Sequence, residues 1–345
     1  MTMWTDVITP AALTGYARAA LADRERAKGT LARFLPNRTI NDITARFVAG
    51  SNGLLDAAEY RAYDAETSIG DRPQGKRITI DLPPLGRKDL VTEYEQLRSR
   101  GNVDPEIALR TVTKAAAQTA GAIGDKLEVM RGKVLDTGIA AIDENGFTLS
   151  SDFGRSAGFN VTAPTLWAAG GATPLANLRV WRDVYVDENG EEPGAILTSR
   201  RVLNALMASS EFKGLATNSG TAPSVVTEDY VRGVLSAYGL PPITLYERRA
   251  RVAGTTGRIL PDNKLYLLPA ETDPDNEDGT DLGGTFWGTT LEASQPEYGI
   301  AEVERPGIVV GTIRTLDPVG VWVHGAAIGL PVLANANLSM AAVVL

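Results

Sequence analysis

The stretch DPEIALRTVTKAAAQTAGAIGDKLEVMRGKVLDT, residues 104–137, is the longest helix-forming segment of this 345-residue chain. Its first three residues supply an N-cap, a proline at the first helical position and an acid in the first turn. Apolar residues then recur at three- and four-residue spacing from Val112 to Val134, which predicts one apolar stripe. At 1.5 Å per residue the helix would be about 50 Å long. Its middle, Ala115 to Gly124, is rich in alanine and glycine and permits close approach by a neighbour, so we expect a spine packed on a sheet.

The segment before this helix is charged and extended. Thr9-Pro10 predicts the start of a short amphipathic helix that ends near Gly29. From residue 39 to about residue 84 the pattern is strand-like, and Ser68 to Gly75 consist of turn-forming residues. A hairpin with so few apolar side chains per strand would not be stable alone in water. The sequence therefore predicts that the extended segment from Asn37 to Glu95 completes its burial against neighbouring molecules, which points to assembly.

Strands and short helices follow the long helix. Ile139 to Leu149 predict a tight hairpin that turns at Asp143-Glu-Asn-Gly146. The same four residues recur at Asp187 to Gly190, where we expect a second turn. Helices are predicted at residues 199–209 and 227–238, and strands at residues 243–247 and 265–269. This order has no regular alternation of strand, helix and parallel strand, so it favours an α+β fold.

The longest stretch without a charged residue is Pro318 to Leu345. Its length raises the alternative of a tail anchor, because a membrane span needs about 20 apolar residues. Pro331, two asparagines and several glycines argue against an anchor, and the alternation of Val319, Val321 and Val323 favours strands. We therefore expect buried strands at the end of the chain.

Charge is spread unevenly along the chain, whose net charge is −8. Residues 1–100 carry a small excess of basic residues, whereas the remainder is acidic. A polyanion would therefore be repelled by most of this surface and tolerated near the N-terminal part. The chain has no cysteine, which excludes disulfides and thiolate metal sites. The first residues lack the basic and apolar segments of a signal peptide, so we expect no secretion by that route.

A competing interpretation is a serine hydrolase. Gly154 to Gly158 match the nucleophile-elbow pattern around Ser156, and His324 follows in the order that a hydrolase uses. The elbow also needs a helix directly after the serine, but residues 159–164 carry no helix signal. His324 is the single histidine and lies in a strand-like segment on the same face as Trp322, which favours a structural role. We predict no enzyme, and keep Ser156 with His324 as a distant alternative.

A metal site is also predicted to be absent. Asp273 to Gly279 faintly resembles a calcium loop, but its glycine comes one place late and Gly284 stands where a bidentate glutamate belongs. A solvated acidic loop is the expected structure. We predict no catalytic residue, cofactor or metal.

Several strings, in their order and spacing, resemble the lambda-like capsid protein E family, the major capsid proteins of tailed bacteriophages. The resemblance covers residues 30–345. The strings are Phe34–Thr39, Arg77–Pro84, Leu127–Leu135, Ser151–Gly154, Ile259–Pro269, Gly284–Thr290 and Leu330–Asn335.

The resemblance implies the Hong Kong 97-like viral capsid fold of the α+β class. Its parts would be an N-terminal arm (residues 1–38), an extended loop formed by a β-hairpin (39–90), a peripheral domain (91–149 and 316–345) that includes the spine helix (104–137), and an axial domain (150–315).

The implied function is that of a major capsid protein which self-assembles into pentamers and hexamers of an icosahedral head around double-stranded DNA. An encapsulin-like nanocompartment shell protein is the nearer alternative. The chain carries no long helical N-terminal extension, so we expect a separate scaffolding protein. A portal protein and a decoration protein are further expected partners, and the expected location is the virion, after assembly in the host bacterial cytoplasm.

Two groups of residues are expected at contacts. In the extended loop, Asp71, Arg72, Lys76 and Arg77 are predicted to pair across the contact between subunits. The basic residues of the arm are predicted to face packaged DNA through non-specific phosphate contacts. These are Arg18, Arg24, Arg26, Lys28 and Arg33.

Overall fold

The computed structural model describes residues 7–49, 76–92, 94, 105–217, 223–316 and 319–345. The helices are α1 (Pro10–Lys28), α2 (Pro105–Thr137), α3 (Pro174–Asn189), α4 (Arg200–Ala208), α5 (Ser210–Leu215), α6 (Glu228–Ala237) and α7 (Leu291–Ser294).

The strands fall into two larger sheets and three separate hairpins. They are β1 (Asn37–Thr39), β2 (Thr44–Ala49), β3 (Lys76–Asp81), β4 (Pro84–Val91), β5 (Ile139–Glu144), β6 (Phe147–Asp152), β7 (Asn160–Thr162), β8 (Ala195–Thr198), β9 (Ile243–Leu245), β10 (Arg249–Val252), β11 (Thr255–Arg258), β12 (Lys264–Leu268), β13 (Gly283–Gly288), β14 (Val309–Leu316), β15 (Val319–Leu333) and β16 (Met340–Val343).

The long helix α2 is the spine predicted from the sequence. It begins at Pro105 within the described residues, and the predicted cap Asp104 lies outside them. Its apolar stripe is buried as expected, with Val112, Ala120 and Val134 among the inaccessible side chains. The stripe packs on a sheet with the order β1-β13-β15-β14, to which β4 is added through β15. We call this the spine sheet.

The second sheet has the order β7-β16-β12-β8-β9 and packs with helices α3 to α6 in the larger apolar core. The hairpins β2–β3, β5–β6 and β10–β11 pair only with themselves within the described ranges. The hairpin β2–β3 is fixed at its base, because Ala45, Ile80 and the following Leu82 belong to the same core. Phe47 stacks on Phe286 of the spine sheet, with ring centroids 6.3 Å apart.

Helix α1 and the residues that follow it pack against the rest of their own chain. Helix α1 buries Leu13 and Ala17 against α2 and β14, and Leu31 and Leu35 are fully buried just after it. This packing is possible because the middle of α2 consists of small residues, which a second helix can approach closely. The described part of the arm therefore belongs to the body of its own chain.

Each sheet contains strands from both predicted domain ranges. Strands β13 and β14 lie within the predicted axial range 150–315 but pair with β15 in the spine sheet. Conversely, β16 lies within the predicted peripheral range 316–345 but pairs with β7 and β12 in the second sheet. The chain thus crosses between the sheets twice after residue 268, because the uncharged C-terminal strands are apolar enough to be central in both.

The repeated Asp-Glu-Asn-Gly sequence has two different outcomes. At residues 143–146 it turns the β5–β6 hairpin as predicted, with Asn145 and Gly146 both at positive φ. At residues 187–190 it is the end of α3 instead of a free turn, and Gly190 adopts the left-handed conformation that terminates a helix. The preceding residues decide the outcome, because Leu178, Trp181 and Tyr185 form a helical apolar stripe.

The uncharged C-terminal stretch forms strands, as the alternation predicted. β15 buries Val321 and Val323 toward the spine, and β16 is central in the second sheet. Among the described helices, none combines the length and the apolar character that a membrane span requires.

Candidate assembly site: the arm, the spine and a buried charged cluster

The arm helix and the spine helix touch through the small residues that the sequence singled out. The glycines in the middle of the spine leave room for arm side chains: Gly121 faces the Arg24 guanidinium, and Gly124 faces Leu21. On the next turns of α1, Thr14 donates its hydroxyl to the Val310 carbonyl oxygen and accepts from the Val310 N–H, both at 3.0 Å. A larger residue at either glycine would meet the Arg24 or Leu21 side chain, which would have to move from its present position.

A charged cluster lies where the arm, the spine and the two sheets converge. We define the charged cluster as Glu25, Asp125, Glu128, Arg131 and Arg248. Arg131 and Glu128 are 1% and 0% exposed, so both ions are removed from water. Ions buried to this degree are stable only when their polar atoms are matched by partners.

Arg131 is the hub of the cluster. Its guanidinium donates to Glu128 Oε2 at 3.0 Å, to Thr285 Oγ1 at 2.8 Å and to Asn37 Oδ1 at 2.9 Å. Glu25 Oε1 lies 3.4 Å away and adds a second carboxylate. One side chain of the spine thereby binds the arm helix, the following strand β1 and the sheet strand β13.

Glu128 accepts hydrogen bonds from the residues that follow the arm helix. Its Oε1 accepts from the Leu31 N–H and from the Tyr246 hydroxyl, each at 2.7 Å. Its Oε2 accepts from the Thr30 hydroxyl at 3.1 Å. Burial and the adjacent Glu128 carboxylate raise the pKa of Tyr246, so the phenol stays protonated and remains a donor.

The other end of the cluster joins the arm to the segment before β10. Arg248 donates to the Gly29 carbonyl oxygen at 2.7 Å and to Asp125 Oδ1 at 2.9 Å. The second oxygen of Asp125 accepts from Arg24 of the arm helix. The cluster therefore fixes the exit of the arm to the spine, the spine sheet and the segment leading into β10 at once.

The sequence reasoning missed this cluster. Glu128 and Arg131 stand at i and i+3 beside the apolar Leu127, Met130 and Val134, and the pattern gave weight to the apolar residues alone. The opposite charges of Glu128 and Arg131, three residues apart and next to the apolar stripe, could have predicted a buried ion pair.

Three of the basic residues that were predicted to face DNA bind groups of their own chain. Arg18 donates to three backbone carbonyl oxygens between residues 304 and 308, Arg24 binds Asp125, and Arg33 pairs with Glu271 at 3.2 Å. Arg26 and Lys28 are exposed at the end of α1, where Arg26 lies 3.0 Å from Asp23.

The predicted contact residues of the extended loop are only partly described. Asp71 and Arg72 lie outside the described residues. Lys76 and Arg77 are the first two residues of β3, opposite Ala49 and Val48 in the antiparallel pair with β2. Residues 50–75, which follow β2 and precede β3, lie outside the described residues.

The hydrolase residues are not brought together. Ser156 accepts from the Asn337 side chain at 3.0 Å, and the neighbouring Arg155 donates to carbonyls at residues 134–136 near the end of the spine. His324 lies in the middle of β15 next to Gly325, which faces Thr119. Residues 119 and 135 are about 24 Å apart along a helix. A short 3-10 turn follows Ser156 instead of the helix that a nucleophile elbow needs.

The acidic loop, residues 273–279, is hydrogen-bonded to strand β1. Glu277 accepts from the N–H and the hydroxyl of Thr39, at 3.0 and 2.8 Å, and the Pro274 carbonyl accepts from the Asn37 N–H at 2.8 Å. The described ranges contain no group of three or more acidic or histidine side chains placed to hold a metal ion.

Comparison with known proteins gives a family and a fold. The family model of phage major capsid protein E matches residues 11–344. A crystal structure of the putative capsid protein of a prophage from E. coli CFT073 is similar over 98% of this chain and 99% of that one, with a TM-score of 0.65 and 14% identity. A phage-related protein from Bordetella bronchiseptica RB50 is similar over 97% and 96%, with a TM-score of 0.58 and 14% identity. The fold is the Hong Kong 97-like capsid fold. No curated protein sequence matches this chain.

Replacing Glu128 by alanine should destabilise the unassembled subunit by about 3–5 kcal/mol, because Arg131 and Arg248 would keep their buried charges without this acceptor. Urea unfolding of the purified subunit measures the change. Glu106→Ala is the matched control: its pair with Arg110 on the same helix is exposed, and such pairs contribute about 0–1 kcal/mol. Equal losses in the two variants would contradict the importance of the cluster.

The stability of the subunit should also depend on the protonation of Glu25. Burial raises the pKa of Glu25, and this effect outweighs the attraction of Arg131. A carboxyl with a raised pKa in the folded chain contributes most when it is protonated, and its contribution is lost as pH rises through the folded pKa. Glu25→Gln removes this dependence, so wild type should lose stability relative to the variant as pH rises above the ordinary glutamate pKa of about 4.3. Urea unfolding at several pH values tests this, and parallel stability profiles would count against it.

Proposed function

Because the chain belongs to the phage major capsid protein E family, we propose that its copies assemble into pentamers and hexamers of an icosahedral head around double-stranded DNA. The family match over residues 11–344 carries this proposal. It also favours a phage head over an encapsulin-like nanocompartment. Particles that enclose DNA distinguish the first from the second, which would enclose protein cargo.

We propose different roles for the body of the subunit and for the loop between β2 and β3. The charged cluster fixes the arm to the spine, to the spine sheet and to residues 246–248, whereas residues 50–75 between β2 and β3 lie outside the described residues. We propose that this loop lies on the adjacent subunit, with Asp71, Arg72, Lys76 and Arg77 pairing across the contact. Each exposed ion pair of this kind contributes about 0–1 kcal/mol. A closed shell contains many copies of the contact, so their summed contribution is large.

The proposal includes the partners that the family resemblance implies. A separate scaffolding protein would guide assembly, a portal protein would replace one pentamer, and a decoration protein would bind the finished shell. Co-expression with each candidate partner, followed by electron microscopy of the particles, tests these contacts.

Deleting residues 68–75 should leave a folded subunit that does not form closed shells. The deletion keeps β3 and the buried base of the hairpin, so the core of the subunit is preserved. Circular dichroism would report the intact fold, and gel filtration with electron microscopy would report the lost particles. Closed shells of normal size from this variant would show that the loop is not the contact.

Of the arm residues proposed to face DNA, Arg26 and Lys28 are the exposed ones and are best placed for phosphate contacts. Such contacts weaken steeply with salt, because they release condensed counterions. Emptied shells should therefore bind duplex DNA less tightly as salt increases, and the variant Arg26→Gln/Lys28→Gln should show a smaller salt slope. Tyr16→Ser is an exposed control on the same helix. Binding that does not change with salt would refute the proposed contact.

A further inference from the structure

A 20-residue excursion leaves one side of the spine sheet between β13 and β14. We call residues 289–308 the edge loop. Its base is closed by a bridge between Thr289 and Pro306 and by the Gly307 N–H, which donates to the Gly288 carbonyl oxygen at 3.2 Å. The edge loop is therefore a closed unit on the sheet and not a loose connection.

The arm holds the edge loop in a fixed position. Arg18 of α1 donates to the carbonyl oxygens of Glu304 at 2.9 Å, Pro306 at 3.0 Å and Ile308 at 2.8 Å. The Tyr298 ring occupies the space next to Gly311 where any larger residue would carry its Cβ. These contacts position the loop before any partner arrives, which reduces the ordering cost of binding.

The edge loop presents apolar side chains to solvent in an acidic setting. Val303 is 92% exposed and Leu291 is 84% exposed, the two highest values among the large hydrophobic side chains of the described residues. The loop carries four glutamates against one arginine, a net charge of −3. Each of these apolar side chains would contribute favourable free energy if a partner covered it.

A complementary cleft lies between α2, the β5–β6 hairpin and the start of β4. Its volume is about 400 Å³, and its walls are largely apolar. The apolar lining includes Leu85, Ile123, Leu127, Met130 and Phe147. Its charged lining residues are Arg87, Lys126 and Glu144, which give a net charge of +1. Lys126 pairs with Glu144 at 2.5 Å and Arg87 pairs with Asp89 at 3.0 Å. The cleft can therefore accept an apolar side chain, and the net charge of its lining is opposite to that of the edge loop.

The edge loop and the cleft lie at opposite edges of the spine sheet. Residues 321–326 of β15 pair with β14 and with β4 at once. Because a strand has only two edges, β14 and β4 must lie on opposite sides of β15. The edge loop leads into β14, and the cleft is beside β4. Within one subunit, β15 therefore lies between the strand that follows the edge loop and the strand beside the cleft.

We propose that the edge loop of one subunit docks in the cleft of a second copy, with Val303 in the apolar part and Glu302 and Glu304 near Arg87 and Lys126. This inference rests on the proposed shell function and names a contact within it. A contact between two different surfaces of identical subunits is head-to-tail, and such contacts close into rings when the rotation allows it. The opposite charges would favour this pairing over the pairing of two edge loops.

The absence of cysteine in the chain permits a direct test in assembled particles. Val303→Cys places a thiol on the edge loop, and Ala122→Cys places one in the cleft at small change in volume. In particles of the double variant, oxidation or a short bismaleimide should join subunits into a ladder of covalent oligomers on denaturing gels. Each single variant should remain monomeric.

Val303→Cys with Val180→Cys is the control pair, because Val180 is exposed on α3 and lies at neither edge of the spine sheet. Particles without a ladder, or an equal ladder from the control pair, would overturn the docking and leave the shell function intact. If the double variant does not assemble, Leu291→Cys with Phe147→Cys decides the question in the same way. Failure of the wild-type chain to form particles with its scaffolding protein would overturn both proposals.

Discussion

The structure depends on one interaction that is unfavourable to build and difficult to replace: the burial of Arg131 and Glu128 in the middle of the spine. Two ions this deep are tolerated because the guanidinium and the carboxylate reach partners on four different segments. An apolar pair could be as stable, but it would not fix which backbone groups approach. We interpret the pair as a device that selects one arrangement of arm, spine and sheets.

The two sheets share this arrangement through chain connectivity. The chain enters the second sheet, returns to the spine sheet for β13 to β15, and ends in the second sheet with β16. Relative motion of the sheets would strain the short connection between β15 and β16 as well as the charged cluster. A shell subunit benefits from such a body, because the positions of its contact surfaces are then set by the fold and not by the neighbours.

The sequence predicted the parts of this protein that depend on local pattern. The spine, the arm helix, the β5–β6 hairpin and the C-terminal strands all follow from periodicity, caps and turn residues, and the family strings supplied the fold. What it missed depends on distant partners. Glu128 is an ordinary helix residue until Leu31 and Tyr246 approach it, and Arg18 is an ordinary surface arginine until the carbonyls of residues 304–308 surround it. The sheet to which β13 or β16 belongs also depends on partners elsewhere in the chain, because strand pairing leaves no local signature. The domain boundaries stay a prediction.

The three hydrogen bonds from Arg18 to the edge loop limit how the subunit can adapt to the curvature of a shell. The arm helix, the spine and the edge loop form one bonded unit, so tilting the arm would carry the loop with it. Five-fold and six-fold rings require different angles between adjacent subunits. With this unit rigid, the difference in angle must be taken up outside it, in the contacts between subunits. The radius of the shell would then be set at those contacts and not by bending of the subunit.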